Sequence, residues 1–319
     1  MGRMAEDPRG GLCKNRCMSF YRACALCATI ALLSATGYRG TMTPFSVERQ
    51  GIMPFHLTSG RDGHLWVASI GYIARMTTAG AFSGAVATPH AADVADAIVA
   101  GRDGNIWFSE DANHVARIGR ITPTGKLTEY TLPPDSNPTA LAAGPDGIVF
   151  AGHPTATLGL VSYTGKISAI HFKTNIDIKS IAYDSSGTLW YAGCDGVGRL
   201  TRSHAVRDYL VEGGCNGEAG VSVARGAVAW FSAGGYIGYV EASGKMRLFK
   251  PLFAPTSMTA APDGNLWFVN SHSNLITRIT PQGTVSRFPT KFGDSPGDIA
   301  VGPDGNLWVC GTNKIVRIT

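Results

Sequence analysis

The sequence predicts an all-β chain: a seven-bladed β-propeller of four-stranded blades, closed by an N-terminal strand that completes the last blade. Three observations carry the prediction. A short phrase returns about every forty residues, the composition disfavours helices, and each end of the chain holds part of one blade. Of 319 residues, 44% are hydrophobic and only 16% charged, with 40 glycines and 17 prolines. That balance suits short strands joined by many turns. Past residue 40, no apolar run keeps the 3.6-residue period of an amphipathic helix.

Taken in order, residues 1–37 read as an export signal and 38–319 as the propeller. The stretch Ala23–Ala35 carries no charge and follows Arg22, and Ala35-Thr36-Gly37 supplies the small residues of a cleavage site. It is shorter than the ~20 residues that span a bilayer, though left uncleaved it would serve as a signal anchor. A start at Met18 would give a signal of ordinary length, making Met1–Cys17 a dispensable extension. The expected location is secreted or periplasmic. Net charge is +5, but residues 1–37 hold five basic groups against two acids, which leaves 23 basic and 21 acidic residues beyond them. No basic stripe remains to track phosphates, which excludes nucleic acid as a partner. Cys13, Cys17, Cys24 and Cys27 fall in or before the signal; the second pair sits in its apolar core without the partner ligands of a zinc site.

The recurring phrase is a glycine, a variable residue, an aliphatic residue and an aromatic. It reads DGHLW (Asp62–Trp66), DGNIW (Asp103–Trp107), DGIVF (Asp146–Phe150), SGTLW (Ser186–Trp190), RGAVAW (Arg225–Trp230), DGNLW (Asp263–Trp267) and DGNLW (Asp304–Trp308). The glycines are spaced by 41, 43, 40, 39, 38 and 41 residues, the period of a propeller blade. In each unit a channel strand such as Ala140–Ala143 meets a tight turn, where glycine accepts a positive φ. The next strand carries the aromatic, expected to wedge between blades. A third strand, such as Ile118–Thr122, and an outer strand, such as Leu127–Tyr130, follow. The last repeat stops at its third strand, Lys314–Thr319, and Met42–Val47 is the candidate for the missing fourth. Their pairing would leave no open edge.

The phrases GPDGNLWV (Gly302–Val309), APDGNLWF (Ala261–Phe268), RIGRITPTGKLTEYTLP (Arg117–Pro133) and RITPQGTVSRFP (Arg278–Pro289) resemble those of the virginiamycin B lyase family, a group of NHL-like propellers. The resemblance covers roughly residues 45–319. It implies the scaffold strongly and the activity weakly, because these phrases are mostly turn and packing residues. For the lyases of the family it implies elimination that opens the ester of a cyclic depsipeptide, with a histidine as base and magnesium held by glutamates. The histidine position lies eight residues before each turn glycine, where this chain has Phe55, Asp96, Thr139, Lys179, Glu218, Thr256 and Gly297. None is histidine. The implied acid positions in the last blade hold Ser295 and, after Trp308, no acid through Thr312.

Channel-strand starts and the ends of the aromatic strands should meet on one face, gathering Asp96, Glu110, Asp111, His153, Lys179 and Glu218. Asp96, Glu110 and His153 could hold a metal or act as acid and base; they could equally be solvated residues lining a polar funnel. Lys179 and Glu218 read as an ion pair or a ligand-binding couple, beside Asp111. His56 stands one place off the family's histidine position, which by strand alternation should turn it between blades. Calcium at the Asp-Gly-Asn turns is disfavoured, because further acid ligands are missing. Cys194 and Cys215 map to one face of adjacent blades and suggest a disulfide in an exported protein, leaving Cys310 as a buried thiol. The expected function is an exported binding propeller for a small molecule, peptide or glycan, acting as a monomer. The alternative is a C–O lyase or lactonase-like hydrolase with a rearranged site.

Overall fold

The computed structural model describes residues 38, 40–48, 51–90, 95–112, 114–152, 158–213, 219–224, 228–250, 254–290 and 295–319. The signal segment expected at 1–37 lies outside these, as do His153, Cys215 and Glu218. The described residues hold twenty-eight strands in seven antiparallel sheets of four. The inner strands are His56–Ser59, Ala97–Ala100, Ala140–Ala143, Ser180–Tyr183, Gly220–Ala224, Ser257–Ala260 and Asp298–Val301. Each neighbours the next around the ring, and that of blade 7 lies beside that of blade 1.

The ring closes as the chain ends predict. Met42–Ser46 pairs antiparallel with Lys314–Ile318, Met42 opposite Ile318 and Ser46 opposite Lys314. Phe45 from this strand stacks on Trp308 with centroids 5.4 Å apart, as Tyr130 stacks on Trp107 at 5.7 Å and Phe288 on Trp267 at 5.2 Å. The borrowed strand therefore delivers the outer aromatic that blades 2 and 6 supply from their own fourth strands.

The core is divided among seven interfaces between neighbouring blades. Each intact interface rests on a three-residue stack across one sheet. Trp107 lies opposite Arg120 with Tyr130 beyond, and the same register gives Trp267–Arg278–Phe288 and Trp308–Arg317–Phe45. The guanidinium carbon sits 5.6–5.9 Å from the indole centroid in these three blades, a cation–π geometry. The turn residues lock the indole. In blade 2, Gly104 takes φ +83°, Asp103 accepts the Asn105 N–H at 3.2 Å and the Trp107 Nε1–H at 3.2 Å. The Asp-Gly-Asn phrase is thus a packing device whose carboxylate is already engaged.

Blade 3 departs from this plan and corrects the sequence register. Its hairpin closes with Gly144 N–H to Gly147 O, one residue shorter than Gly101 N–H to Asn105 O in blade 2. Phe150 therefore lies opposite Gly159, the place Phe108 holds opposite Gly119, and is not the tryptophan equivalent. Val149 occupies that position, opposite Leu160, with Ile170 outermost. One residue of length reverses every side chain on a strand. Tyr183 from blade 4 compensates in part: its ring lies against Gly144, where Trp107 lies against Gly101 in blade 2.

Candidate functional site

The central channel opens into a cavity of about 420 Å³. The first residue of every inner strand lines it: His56, Ala97, Ala140, Ser180, Gly220, Ser257 and Asp298. So do the residues just before six of them, including Asp96, Thr139, Lys179 and Thr256. Consecutive residues share the wall because most inner strands start as at a bulge. The Phe55, Asp96, Lys179, Thr256 and Gly297 N–H groups reach the carbonyls of Ala68, Ser109, Ala192, Val269 and Cys310. Those residues already lie opposite the first strand residue, so two residues oppose one and alternation is interrupted.

That geometry overturns the expectation for His56, which lines the cavity instead of packing between blades. Its Nδ1 lies 3.7 Å from Asp298 Oδ2, with the histidine side chain 40% and the aspartate 16% exposed. Asp298 also accepts the Leu57 N–H at 3.0 Å and the Ser257 hydroxyl at 2.5 Å. Ser257 Oγ in turn accepts the Ile299 N–H at 3.2 Å. Burial pushes the Asp298 carboxyl up, but the bond and charge of His56, the Ser257 hydroxyl and the Leu57 N–H together hold it below its ordinary value. Each inner strand would otherwise present bare N–H groups on its edge. Asp298, Ser257 and Ser180, which accepts the Val221 N–H at 3.1 Å, cap the strand of the following blade. Ala97 and Ala140 have no side-chain oxygen to do so.

The remaining expected site residues separate. Asp96 lines the cavity. Glu110 is 1% exposed and shares the strand face of Phe108, which packs against blade 1. Its carboxylate converges with His90 and Glu129, one ligand atom of each lying within 4.8 Å of the others. Among the described residues this is the set of histidine and carboxylate groups that converges closely enough to hold an ion. A nitrogen donor beside two carboxylates suits a first-row transition ion better than magnesium, which prefers an all-oxygen octahedron. The described cavity wall does not provide that octahedron either, since its carboxylates are Asp96 and the already engaged Asp298. The magnesium implied by resemblance thus has no fitting cage among the described residues.

Asp111 is exposed at the end of its strand and is not part of the cavity wall. Lys179 pairs with Asp177 at 2.8 Å, both well exposed; Glu218, its expected partner, lies outside the described residues. Sheet register also moves the family's histidine position in blade 5 from Glu218 to Ala219, because Gly220 pairs with Ser232 as Ala97 pairs with Ser109. Cys194 is disulfide-bonded, while Cys215, its expected partner, lies outside the described residues. Cys310 is a free, buried thiol. Burial, and then the Asp298 charge, push its pKa well above the ordinary range, so it is a poor nucleophile. Sequence reasoning missed Asp298 and Ser257 altogether. Their signal was present as polar residues at the first position of inner strands.

Comparison with known proteins agrees with this architecture. The model of the virginiamycin B lyase family matches residues 40–318. Virginiamycin B lyase of Nocardia farcinica is 33% identical over 111 residues, 34% of this chain and 39% of that protein. The enzyme of Bordetella bronchiseptica is 43% identical over 54 residues, 17% of this chain and 18% of that protein. The matched stretches thus span well under half the length of these two relatives. Among solved structures, a catalytically inactive histidine-to-alanine variant of virginiamycin B lyase from Staphylococcus aureus with quinupristin superposes with a TM-score of 0.76 at 26% identity, covering 88% of this chain and 99% of that one. A streptogramin B lyase structure gives a TM-score of 0.75 at 24% identity, covering 88% and 97%.

Proposed function

The chain belongs to the virginiamycin B lyase family, and on that premise we propose that it is an exported binding propeller whose central cavity takes a small, peptide-like molecule. The makeup of the cavity wall carries this reading. The seven positions corresponding to the family's base contain no histidine, while the wall combines Asp96, Lys179, Thr139 and Thr256 with apolar Leu57, Ile98 and Met258. Such a wall offers donors, acceptors and both charge signs around a volume suited to a small ligand.

One observation favours a second reading, a C–O lyase with a relocated base. His56 stands on the wall with its imidazole oriented by Asp298, the arrangement of a histidine general base. In that reaction the imidazole takes a proton from the carbon beside the ester's alkyl C–O carbon, on the alcohol side, where a neighbouring amide carbonyl makes it acidic. The released electron pair forms a carbon–carbon double bond as the C–O bond breaks and the ester carboxylate leaves. General-base assistance of this kind contributes roughly 10²–10⁴-fold.

Titration of the exported chain with quinupristin, followed by chromatographic separation and fragmentation mass spectrometry of the mixture, separates the readings, because elimination opens the ring without changing its mass. Binding without linearisation, weakened about tenfold by an Asp96→Leu and Lys179→Leu double substitution, supports the binding propeller. Linearisation abolished by His56→Ala would install the lyase in its place. Neither binding nor linearisation would overturn both.

A further inference from the structure

A second cavity, also about 420 Å³, lies between blades 3 and 4, on the turn face. Its apolar wall is Leu160, Ile170, Leu189 and Leu200, with Tyr183 on one side and Asp146, Arg202 and His204 at the rim. It coincides with the stack that blade 3 lacks. Six blades place an indole here, five of them opposite an arginine and one opposite Tyr239. Blade 3 places Val149, Leu160 and Ile170 there; Tyr183 takes the part of the ring volume beside Gly144, and the cavity is what remains.

The rim differs from an intact interface in a second, independent way. Between blades 2 and 3, the turn residue Tyr163 closes over Trp107 at 6.1 Å, edge to face. Arg202 holds the corresponding place in the next turn: Thr201 and Ser203 share a hydroxyl contact at 2.9 Å, as Ser162 and Thr164 do around Tyr163. Where the blade 2–3 interface has an aromatic lid and the other corresponding turns carry Thr78, Pro123, Ala242 and Pro281, this one sets an exposed guanidinium over an apolar, tyrosine-walled slot. Arginine at such a position pairs with carboxylates in a bidentate fork and stacks on aromatic faces.

We propose that this cavity is a ligand site for a planar aromatic carboxylate of about indole size, its ring taking the place of the missing tryptophan and its carboxylate meeting Arg202. The site is distinct from the central channel and independent of whatever the channel binds. Indole-sized rings lose little conformational entropy on binding and bury most of their surface in such a slot.

Calorimetric titration of the full exported chain with indole-3-carboxylate, and separately with neutral indole, tests the assignment. Saturable 1:1 binding of the carboxylate in the millimolar range or tighter is expected, with indole weaker. Leu160→Trp, which fills the slot from the same face, should weaken the carboxylate at least roughly tenfold (about 1.4 kcal/mol). Should that variant fail to fold, Ile170→Tyr restores the outer ring of the repeat from a strand edge and should have the same direction of effect. Arg202→Ala should weaken the carboxylate about fivefold and leave indole within about twofold. No saturable binding of either probe, or binding indifferent to filling of the slot in a folded variant, would overturn the site. Equal loss of both probes in Arg202→Ala would overturn the carboxylate assignment.

Discussion

Blade 7 and blade 3 face the same packing problem and meet it with different means. Blade 7 has the full stack of Trp308, Arg317 and Phe45, and its inner strand begins with Asp298, which fastens blade 1 and is itself held by blade 6. Blade 3 has Val149, Leu160 and Ile170 in the stack and Ala140 at the start of its inner strand. The third and outer strands of blade 3 are joined by a tight turn, whereas those of blade 7 come from distant parts of the chain. Joining distant segments carries a loop-closure cost that a short turn avoids, and the blade 7 stack offsets it. Connectivity does not by itself decide the stack, since blades 2 and 6 keep theirs on tight turns; in blade 3 the shorter hairpin at Gly144–Gly147 brings Val149 to the tryptophan position.

The largest test of that contrast is removal of residues 41–48. Losing the fourth strand of blade 7 exposes Trp308 and the edge of Lys314–Ile318, and the melting temperature should fall sharply; an unchanged value would break the closure argument. Next comes the stack itself. Trp308→Ala should cost about 3–5 kcal/mol in urea unfolding, while Val149→Ala at the equivalent place in blade 3 should cost less than half as much. Equal costs would show that both interfaces bear similar load.

Smaller effects come from the inner strands. Asp298→Ala leaves the Leu57 N–H and the Ser257 hydroxyl without their acceptor and should cost about 1–3 kcal/mol, whereas Ala140→Ser should be nearly neutral. Because the folded pKa of Asp298 is held below its unfolded value, its contribution is complete above the unfolded value and is lost as pH falls below about 4. Acid unfolding of Asp298→Asn should therefore show a shallower slope in that window than the parent chain. The smallest change is expected from Leu160→Arg, which supplies blade 3 with the missing guanidinium but no indole; without the indole partner the gain should stay under about 0.5 kcal/mol. A larger gain would mean that the guanidinium stabilises this interface by itself.

Much of this fold was legible in the chain. The forty-residue period counted the blades, and the unfinished repeat at Lys314–Thr319 named Met42–Val47 as its complement. The site was less legible, for a geometric reason. Positions counted from the turn glycine are reliable only while every hairpin has the same length. The short turn at Gly144–Gly147 made Phe150 look like a tryptophan equivalent, and the longer phrase Arg225–Trp230 shifted the count in blade 5 by one, to Glu218 where the register equivalent of Asp96 is Ala219. Strand alternation misplaced His56, because Phe55 and His56 both oppose Ala68 and alternation is interrupted at that bulge-like start.

By itself, then, the sequence determined the strand content, the number of blades, the closing partner and the family, since each depends on local turns and periodic burial that repeat seven times. Only the tertiary structure decided which polar groups meet. Ser257, Asp298 and His56 belong to three blades and are up to 242 positions apart in the chain, so no spacing could join them. Closing the ring did so, by laying the edges of blades 6, 7 and 1 side by side, where an unpaired N–H must find an acceptor from its neighbour. The same closure sorted Glu110 away from the channel and left blade 3 with a slot no repeat pattern announced.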